Sequence, residues 1–554
     1  MTRSGHKDVN MVIVVPPAGV KTTVYPPYGA MYVAASLIGR GYKAAILNID
    51  AERISLDVAI KKIVQMDPQY IAFSGIVAPS YRFIKEMSLR LRSIFPDKIQ
   101  ILGGGLASAV APVFKNTSID IVVQSEGDIT AGELLDCLGR RAGLDGVRGI
   151  YYRQGGSYQF TGRRELVRNL DSLPYPAFDL VDMDRYMPDG AEFIGQFIAI
   201  KDDRILSQKR KRMITIPTSR GCFGTCTFCF RAYQGIRVHS IKYVFDLVEH
   251  CIEKFNVGFF TFGDECFAPN KARNWEFIEE YRRRKSDFVF RILGMRVDTV
   301  DKEILKAYKD IRCWMIEYGF ESGSQKMLDV INKRVSVEKN AEVARWTMEA
   351  GIHTSPTLVL AMPGETNDTV RESIEFMKSL DLEFKQYQWS YALPIPGSPL
   401  YEFARISGAI QDEDEYLSSL EGPAAVAGVP HVNLTDESDG VVAGWGDRVR
   451  DAVDGHYFRR KFGNILIARI ARLIMLIQLH WKKGTLAADI WAKYKRSMRS
   501  VGIPGRKETR EEAKIVRFRK RPDLRVGDLL KSAGGPVSLV AVNRMMAERE
   551  SAHV

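Results

Sequence analysis

The chain has 554 residues, of which 45 % are hydrophobic and 26 % are charged, values typical of a folded soluble protein with several domains. Lysine and arginine outnumber aspartate and glutamate by 79 to 67, and this net charge of +12 leaves nucleic acid, an anionic membrane surface and acidic substrates as candidate partners. Seven cysteines are too few for a disulfide framework, and the polar residues 1–10 do not resemble a secretory signal. We therefore expect a cytoplasmic protein.

Between residues 1 and 145, apolar strand-like runs alternate five times with helical segments. The predicted strands are 11–15, 43–48, 70–75, 99–102 and 119–123, and the predicted helices are 30–40, 56–64, 83–94, 107–114 and 129–139. Continuous apolar strands in this order predict a doubly wound, flavodoxin-like or Rossmann-like α/β domain with a parallel sheet. Such sheets bind ligands at the carboxyl ends of their strands.

Small and polar residues stand at those strand ends, where a large flat ligand would need close approach to the backbone. The candidate ligand-binding residues are Pro16, Ser74, Gly75, Gly103, Gly104, Glu126 and Gly127. The alternative that the glycines only form tight turns stays open. A nicotinamide nucleotide is disfavoured because the first strand is not followed by the GxGxxG loop that such cofactors require.

Residues 146–205 are predicted to form a hairpin and a connector between domains. Gly155 and Gly156 suit the turn of a hairpin at 149–160, and a proline-punctuated stretch follows at 170–178. Six further strand and helix units are predicted between residues 206 and 410. Their strands are 213–217, 259–262, 288–293, 314–320, 354–360 and 387–393. This repeat indicates a partial (βα)6 barrel, with its site at the carboxyl ends of the strands.

Three cysteines, Cys222, Cys226 and Cys229, stand in a CxxxCxxC loop just after the first strand of the predicted barrel. Three thiolates on one short loop can hold a [4Fe-4S] cluster and leave one iron open to a substrate or cofactor. A zinc site would need a fourth ligand, and the other four cysteines are scattered singly. A thioredoxin-like pair would leave Cys222 without a role.

This loop resembles the signature of the radical S-adenosylmethionine (SAM) enzymes. The resemblance implies that the three cysteines are catalytic cluster ligands and that SAM chelates the open iron. It also implies that polar residues at later strand ends bind SAM, namely Asp264, Glu265, Arg296, Glu321 and Ser322. The stretch 319–324 is similar to the family's Gly-x-Glu-Ser-Gly-Ser, whereas Ala361 replaces the first glycine of the family's Gly-x-Pro-Gly-Glu-Thr.

The N-terminal region is similar to that of the cobalamin-binding branch of the same family. The resemblance is carried by Pro26-Pro27-Tyr28-Gly29, by Gly103-Gly104-Gly105 and by Ser125-Glu126-Gly127-Asp128. It implies that cobalamin is a third cofactor, held by the strand-end residues of the first domain. Because no histidine lies between His6 and His239, we expect that residues 1–145 place no histidine below the cobalt.

Residues 411–554 are predicted to form a mainly helical C-terminal domain with a basic tail. An irregular connection is expected at 413–444. The apolar stretch 465–479 is shorter than the roughly 20 residues that span a bilayer, so it is either a core helix or a helix lying on a membrane surface. The basic run 506–525 has no aromatic recognition motif beside it, which disfavours nucleic acid as a partner.

The resemblance implies a cobalamin-dependent radical SAM methyltransferase acting on an unactivated carbon of a small-molecule or lipid substrate. One SAM would donate the methyl group and a second would supply the radical, with an electron donor such as flavodoxin or ferredoxin. One alternative is a radical rearrangement or an oxidative cyclisation similar to that of the anaerobic magnesium-protoporphyrin monomethyl ester cyclase. Another is a tRNA-modifying methylthiotransferase, which is weakened because no small β-barrel RNA module is recognisable after residue 410.

Overall fold

The computed structural model describes residues 9–17, 25–75, 78–195, 202–231, 235–384, 386–420, 430–463 and 516–526, together with the helical positions 467, 470, 471 and 474. Two large sheets dominate these residues. The strands are β1 (Met11–Val15), β2 (Ala44–Asn48), β3 (Tyr70–Ser74), β4 (Ile99–Gly103), β5 (Ile121–Val123), β6 (Ile150–Gln154), β7 (Ser157–Phe160), β8 (Arg212–Ile216), β9 (Ser219–Cys222), β10 (Gly235–Val238), β11 (Val257–Gly263), β12 (Val289–Met295), β13 (Cys313–Glu321), β14 (His353–Leu360), β15 (Gln388–Tyr391), β16 (Val432–Asn433) and β17 (Phe518–Arg519).

Helices connect most of these strands and cover the faces of the two sheets. They are α1 (Tyr28–Gly39), α2 (Ile49–Glu52), α3 (Leu56–Met66), α4 (Tyr81–Ile94), α5 (Val110–Asn116), α6 (Gly127–Gly139), α7 (Gly190–Gly195), α8 (Asp203–Leu206), α9 (Ile241–Phe255), α10 (Lys271–Arg283), α11 (Lys302–Asp310), α12 (Gln325–Val330), α13 (Val337–Glu349), α14 (Asn367–Ser379), α15 (Pro399–Ile406), α16 (Glu413–Ser419) and α17 (Asp439–Phe462).

The first sheet has the strand order β2-β1-β3-β4-β5-β6-β7, and its first five strands are parallel. Strand β1 illustrates why these strands are apolar along their whole length. Val12 and Val14 belong to the core on one face, whereas Ile13 and Val15 belong to the core on the other. The order 2-1-3-4-5 is that of a flavodoxin-like sheet. The predicted doubly wound α/β fold is therefore confirmed.

The hairpin formed by β6 and β7 turns at Gly155 and Gly156, which both have positive φ angles. Its strand β6 pairs antiparallel with β5, so the hairpin extends the first sheet. The sequence predicts this hairpin as part of the connector at 146–205. The pairing was not apparent because nothing in a hairpin sequence shows which neighbouring strand it will join. Tyr151 and Phe160 stack across the hairpin with their ring centroids 4.3 Å apart.

The second sheet has the order β15-β14-β13-β12-β11-β8 and is parallel throughout, which confirms the predicted partial barrel. Side chains such as Phe260 and Ile292 point outward and pack with the surrounding helices in the largest core. Successive side chains of a strand point to opposite faces. Thr261, Arg291 and Glu317 therefore face the inside of the barrel, which we call the lumen.

The sequence predicted an irregular connection over 413–444, and this prediction was wrong at the two ends of the stretch, where α16 covers 413–419 and α17 begins at Asp439. Helix α17 buries Val442, Trp445, Val449 and Val453, which are spaced three or four residues apart, against the barrel core. Its glycines obscured this pattern because glycine disfavours helix by about 1 kcal/mol relative to alanine. Gly446 is needed for packing, since a Cβ there would lie 2.3 Å from the Trp389 ring.

Most of the apolar stretch 465–479 and of the basic run 506–525 lies outside the described residues. Three of the described positions, Ile467, Ile470 and Ile474, are about half exposed, at 51 %, 51 % and 48 %. Among the helices that are described, none has the length and apolar character needed to cross a bilayer.

We expect Gly446→Ala to lower the stability of the protein by about 1–3 kcal/mol, because the added methyl group would collide with Trp389 in a packed interface. Gly444→Ala is the matched control in the same helix. No atom lies within 4 Å of a Cβ at Gly444, so this change should gain about 1 kcal/mol of helix propensity. Thermal unfolding midpoints measure both effects. Equal midpoints for the two variants would contradict the docking of α17 on β15.

Candidate active site

The three cysteines of the CxxxCxxC motif lie on a loop that a short hairpin holds beside the barrel. Strand β9 ends at Cys222 and pairs antiparallel with β10, which places Cys222 opposite Gly235. A Cβ at Gly224 would lie 3.3 Å from the Cys222 sulfur and 3.8 Å from the Cys226 sulfur. The thiols of Cys226 and Cys229 are hydrogen-bonded to each other. The structure thus brings the three predicted ligands together, on a hairpin that the sequence analysis did not predict.

Cys266 lies against the cluster loop, although the spacing of the cysteines gave no sign of it. Its buried thiol hydrogen-bonds that of Cys222, and this bond lowers the pKa of Cys222 to about 6. The N–H of Gly224 also donates to the Cys222 sulfur, at 3.3 Å. Both contacts favour the thiolate, which is the form that binds iron.

Two cations lie close to the motif cysteines, Arg296 and Lys333. Arg296 donates two hydrogen bonds to Asp298, at 3.0 and 2.9 Å, and its guanidinium lies 4.7 Å from the centroid of the Phe223 ring. The pKa of Cys226 is lowered to about 7. The hydrogen bond from Cys229 is the largest cause, and the positive charge of Lys333 is the next one that lowers it. A negatively charged iron–sulfur cluster would gain from both cations.

The three motif thiols suit a cluster better than a single metal ion. Within the described ranges, no three His, Cys, Asp or Glu side chains surround one position as a single metal ion would require. A cube of iron and sulfide is larger than one ion, so its three thiolates need not meet at a point. Three adjacent thiols, with pKa values lowered at Cys222 and Cys226, suit such a cube.

Asp264 fixes the beginning of the cluster loop. Its buried carboxylate accepts hydrogen bonds from the backbone N–H groups of Thr218 and Ser219, at 2.7 and 2.8 Å, and from their hydroxyls, at 2.8 and 3.0 Å. Burial raises the pKa of Asp264 to about 6, and the hydrogen bonds oppose that shift. A contact between Asp264 and SAM stays a prediction. Glu265 is an exposed residue, but its carboxyl group is partly withdrawn from water. This loss of hydration raises the pKa of Glu265, and the nearby Cys222 raises it further.

Glu321 and Ser322 hold the end of β13 in an unusual backbone conformation. Glu321 has a φ angle of 66°, which non-glycine residues rarely adopt, and its Oε1 accepts a hydrogen bond from Lys333 Nζ at 2.7 Å. A Cβ at Gly319 would lie 2.3 Å from that oxygen, so a larger residue there would displace the Glu321 carboxylate from its present position. The Ser322 hydroxyl lies 3.1 Å from that of Ser373 in α14. Contacts of Glu321 and Ser322 with SAM stay predictions.

A cavity of about 350 Å³ opens where the carboxyl edge of the first sheet meets the barrel. Five of the residues predicted for cofactor binding line it, namely Ser74, Gly103, Gly104, Glu126 and Gly127. Much of its wall is apolar and is built from Met11, Ile13, Ala72, Ile101, Val123, Ala131 and Leu134. Two predicted residues are not part of the lining. Gly75 packs behind it, where a Cβ would lie 2.8 Å from that of Leu106, and Pro16 is buried after β1.

The cavity suits a cofactor with a broad apolar body and polar edges. Nothing lies within 4 Å of a Cβ placed at Gly103, so this position opens into free space. Gly104 has a φ angle of +84° and lets the loop approach Gly75 closely. The Ser125 hydroxyl is buried without a hydrogen-bond partner in the described part of the chain. An apolar cavity with a few polar groups on its wall is typical of a cofactor site, and these residues fit cobalamin.

Four buried or part-buried charged side chains, which we call the interdomain clamp, join this cavity to the cluster hairpin: Glu126, Asp128, Arg220 and Arg237. Glu126 accepts hydrogen bonds from Arg220 and Arg237, both at 2.9 Å. Asp128 accepts two from Arg220, at 2.8 and 3.1 Å. Burial acts to lower the pKa of Arg220, but the two carboxylates outweigh this effect, so the pKa is raised overall. Glu126 was predicted to bind the cofactor; the structure shows both of its oxygens in the clamp, and a contact with cobalamin stays a prediction.

His239 lines the same cavity from the barrel side. Its Nδ1 lies 2.9 Å from the Asp171 carboxylate, and its ring stacks on Tyr243 with the centroids 3.9 Å apart. Burial lowers the pKa of His239 to about 4, so the ring is neutral at pH 7. The expectation that residues 1–145 place no histidine below the cobalt concerned the first domain and stays a prediction. His239 itself was missed because its neighbours in sequence form no cofactor motif.

We expect Asp264→Asn to reduce the iron retained after anaerobic reconstitution, because an amide NH2 group would face donors that the carboxylate now accepts from. Glu265→Gln is the matched control, since its exposed side chain makes no such bonds to the loop. Iron and sulfide analysis measures the difference. Full iron content in Asp264→Asn would show that the loop does not depend on this carboxylate.

Comparisons with known proteins match both halves of this arrangement. The radical SAM superfamily model matches residues 216–377, and the B12 binding domain model matches residues 18–135. An uncharacterized methyltransferase of Pyrococcus horikoshii is 26% identical over 408 residues, which are 72% of this chain and 83% of that protein. The anaerobic magnesium-protoporphyrin IX monomethyl ester cyclase of Cereibacter sphaeroides is 27% identical over 408 residues, 71% of this chain and 62% of the cyclase.

A solved structure shares the overall fold. It is that of TsrM, a radical SAM methyltransferase from Kitasatospora setae with cobalamin and a [4Fe-4S] cluster bound. The two chains are 16% identical, the match covers 73% of this chain and 76% of TsrM, and the TM-score is 0.56. The residues that the two family models match include the three motif cysteines and much of the cavity wall. The chain therefore matches a B12 binding domain followed by a radical SAM domain, in the order that the sequence predicted.

Proposed function

We propose that the protein is a methyltransferase that uses a [4Fe-4S] cluster, SAM and cobalamin to methylate an unactivated carbon of a small-molecule or lipid substrate. One observation carries the proposal. The strand that ends at Cys222 also carries Arg220, and Arg220 pairs with Glu126 and Asp128 on the wall of the cavity. The site for a radical source and the site for a methyl carrier therefore share one interface.

Different residues would hold the cluster, SAM and cobalamin. Cys222, Cys226 and Cys229 would bind the cluster, and Glu265, Arg296, Glu321 and Ser322 stand where SAM would find polar partners. Ser74, Gly103, Gly104, Ser125 and Gly127 would contact cobalamin. The bound cofactors would supply the radical and the methyl group, while the protein binds and orients them and keeps water out. The clamp contributes by closing the interface between the two sites.

The comparisons support methyl transfer over its main rival. The similar proteins of Pyrococcus and Kitasatospora are methyltransferases, whereas the similar protein of Cereibacter is a cyclase. Oxidative cyclisation is therefore the second candidate, since it would use the same cluster and cavity. An external one-electron donor such as flavodoxin or ferredoxin would reduce the cluster in either reaction. The stretch 465–479 would provide peripheral contact with a membrane, and the cytoplasm would be the working compartment.

We expect Cys222→Ala, Cys226→Ala and Cys229→Ala each to lose the iron–sulfur cluster and SAM cleavage, because two thiolates cannot retain the cube. Cys266→Ala is the matched control, since its thiol touches Cys222 but stands outside the motif. Iron analysis and release of 5′-deoxyadenosine after anaerobic reduction measure the outcome. Iron loss in Cys266→Ala as severe as in the motif variants would overturn the assignment of three ligands.

Methyl transfer and cyclisation differ in the products left by SAM. Methyl transfer leaves S-adenosylhomocysteine from the methyl donor and 5′-deoxyadenosine from the radical source, whereas cyclisation leaves only the second. In reduced protein without added substrate, we expect about one equivalent of S-adenosylhomocysteine per bound cobalamin, and none in protein reconstituted without cobalamin. Chromatography of the quenched reactions measures both products. Formation of 5′-deoxyadenosine alone under all conditions would favour the cyclase.

A further inference from the structure

One row of polar side chains crosses the lumen of the barrel. Thr215, Thr261 and Arg291 are paired neighbours on strands β8, β11 and β12, so their side chains lie side by side on the inner face. Arg291 Nε donates to the Thr261 hydroxyl at 2.9 Å. The Thr215 hydroxyl is buried and has no hydrogen-bond partner among the described residues. Polar groups of this kind are uncommon in the packed interior of a barrel.

Arg291 is a buried cation without a carboxylate partner. Its exposed fraction is 7 %, and its guanidinium lies 4.9 Å from the centroid of the Phe193 ring. Within the described ranges, no carboxylate forms an ion pair with it, whereas the buried Arg220 is paired with two. Burial lowers the pKa of Arg291, which reflects the cost of keeping its charge away from water. A buried charge is stable only when something compensates it.

Tyr25 and Glu317 are two further polar groups of the lumen, and Glu317 stands two residues beyond Met315, the partner of Arg291 on β13. Tyr25, which follows β1 in the first domain, lies with its Cε1 atom 3.3 Å from the place of a Cβ on Gly263. Burial raises the pKa of Tyr25, whereas the charge of Arg291 lowers it and that of Glu317 raises it. Tyr25 is 52 % exposed, so solvent reaches its side chain. Glu317 accepts a hydrogen bond from Gln388 at 3.2 Å.

We propose that the lumen binds an oxyanion of the substrate, a carboxylate or a phosphate, at the guanidinium of Arg291, with the hydroxyls of Thr215 and Tyr25 as neighbouring donors. An arginine fork presents several N–H groups in a plane and suits both anions. The inference rests on the proposed function only in taking the lumen as the substrate site. It narrows the substrate class to molecules with an acidic group, and it separates them from uncharged lipids.

The reactivity of Arg291 toward phenylglyoxal tests this proposal in the anaerobically reconstituted full-length protein. Peptide mass spectrometry follows the labelling rate of each arginine in chloride and in inorganic phosphate at matched ionic strength. Phosphate that occupies the site slows labelling by a factor of 1 + [L]/Kd, about threefold at twice the Kd. Arg168, whose side chain is 88 % exposed, reports general effects of phosphate, and the clamp residue Arg220 reports a buried arginine that is already paired. Acetate and methylphosphonate as further arms distinguish carboxylate from phosphate recognition.

Two variants separate anion binding from a purely structural role for Arg291. Glu317→Gln removes the nearby negative charge and should lower the phosphate concentration for half-protection roughly threefold. Thr215→Val removes a donor and should raise that concentration. If Arg291 had only a structural role, neither substitution would change the phosphate concentration for its half-protection. Protection of Arg291 no greater than that of Arg168, absence of labelling in chloride, or equal half-protection in all three proteins would overturn the proposal.

The same samples keep this inference distinct from the proposed function. Iron content and the visible spectrum of bound cobalamin report the cofactor sites, whereas protection of Arg291 reports the lumen. Protection in a protein that fails to bind cobalamin would reject the proposed function and retain the anion site. Normal cofactor binding with an unprotected Arg291 would retain the proposed function and reject the anion site.

Discussion

The pairing of Glu126 and Asp128 with Arg220 and Arg237 ties the two sheets of this enzyme into one working unit. These charges are largely withdrawn from water, so each carboxylate depends on its arginine. Removing one partner from such a buried network costs about 3–5 kcal/mol because an uncompensated charge is left behind. The same side chains stand on the cavity wall and on the hairpin that ends at Cys222. One electrostatic contact thus joins the cavity wall to the hairpin of the three cysteines.

The fold and the candidate cluster ligands could be predicted from the sequence because their signals are local. A strand buried on both faces is apolar at every position, as in Met11–Val15, and the spacing of the three cysteines alone singles them out as candidate ligands. Arg220, Arg237, His239 and Cys266 gave no such signal. Arg237 meets Glu126 across 111 residues of chain, and only the folded topology brings them together. The hairpin β9–β10 was missed for the same reason, since its two strands lie on either side of the cluster loop.

Two residues at the carboxyl ends of the barrel strands, Glu321 and Ala361, adopt backbone conformations that oppose their own preferences. Glu321 and Ala361 have φ angles of 66° and 65° at the ends of neighbouring strands. Ala361 replaces the first glycine of the Gly-x-Pro-Gly-Glu-Thr pattern that the sequence resembles. Its N–H donates to the carboxylate of Glu365, whose burial raises its pKa to about 8. Strained positions of this kind persist only where surrounding contacts fix them, and they concentrate at functional sites. These strained backbone positions therefore lie at the carboxyl edge of the barrel, the edge that also carries the three cysteines.

The clamp also sets an order of events during synthesis of the chain. Asp128 leaves the ribosome 92 residues before Arg220, so the first sheet can form while its acidic loop still lacks a partner. The wall that Pro217, Ser219 and His239 give to the cavity is likewise absent at that stage. A nascent first domain therefore holds an open groove facing water, and only the arrival of the hairpin closes it. The complete cavity wall is therefore available only after the hairpin has docked on the first domain.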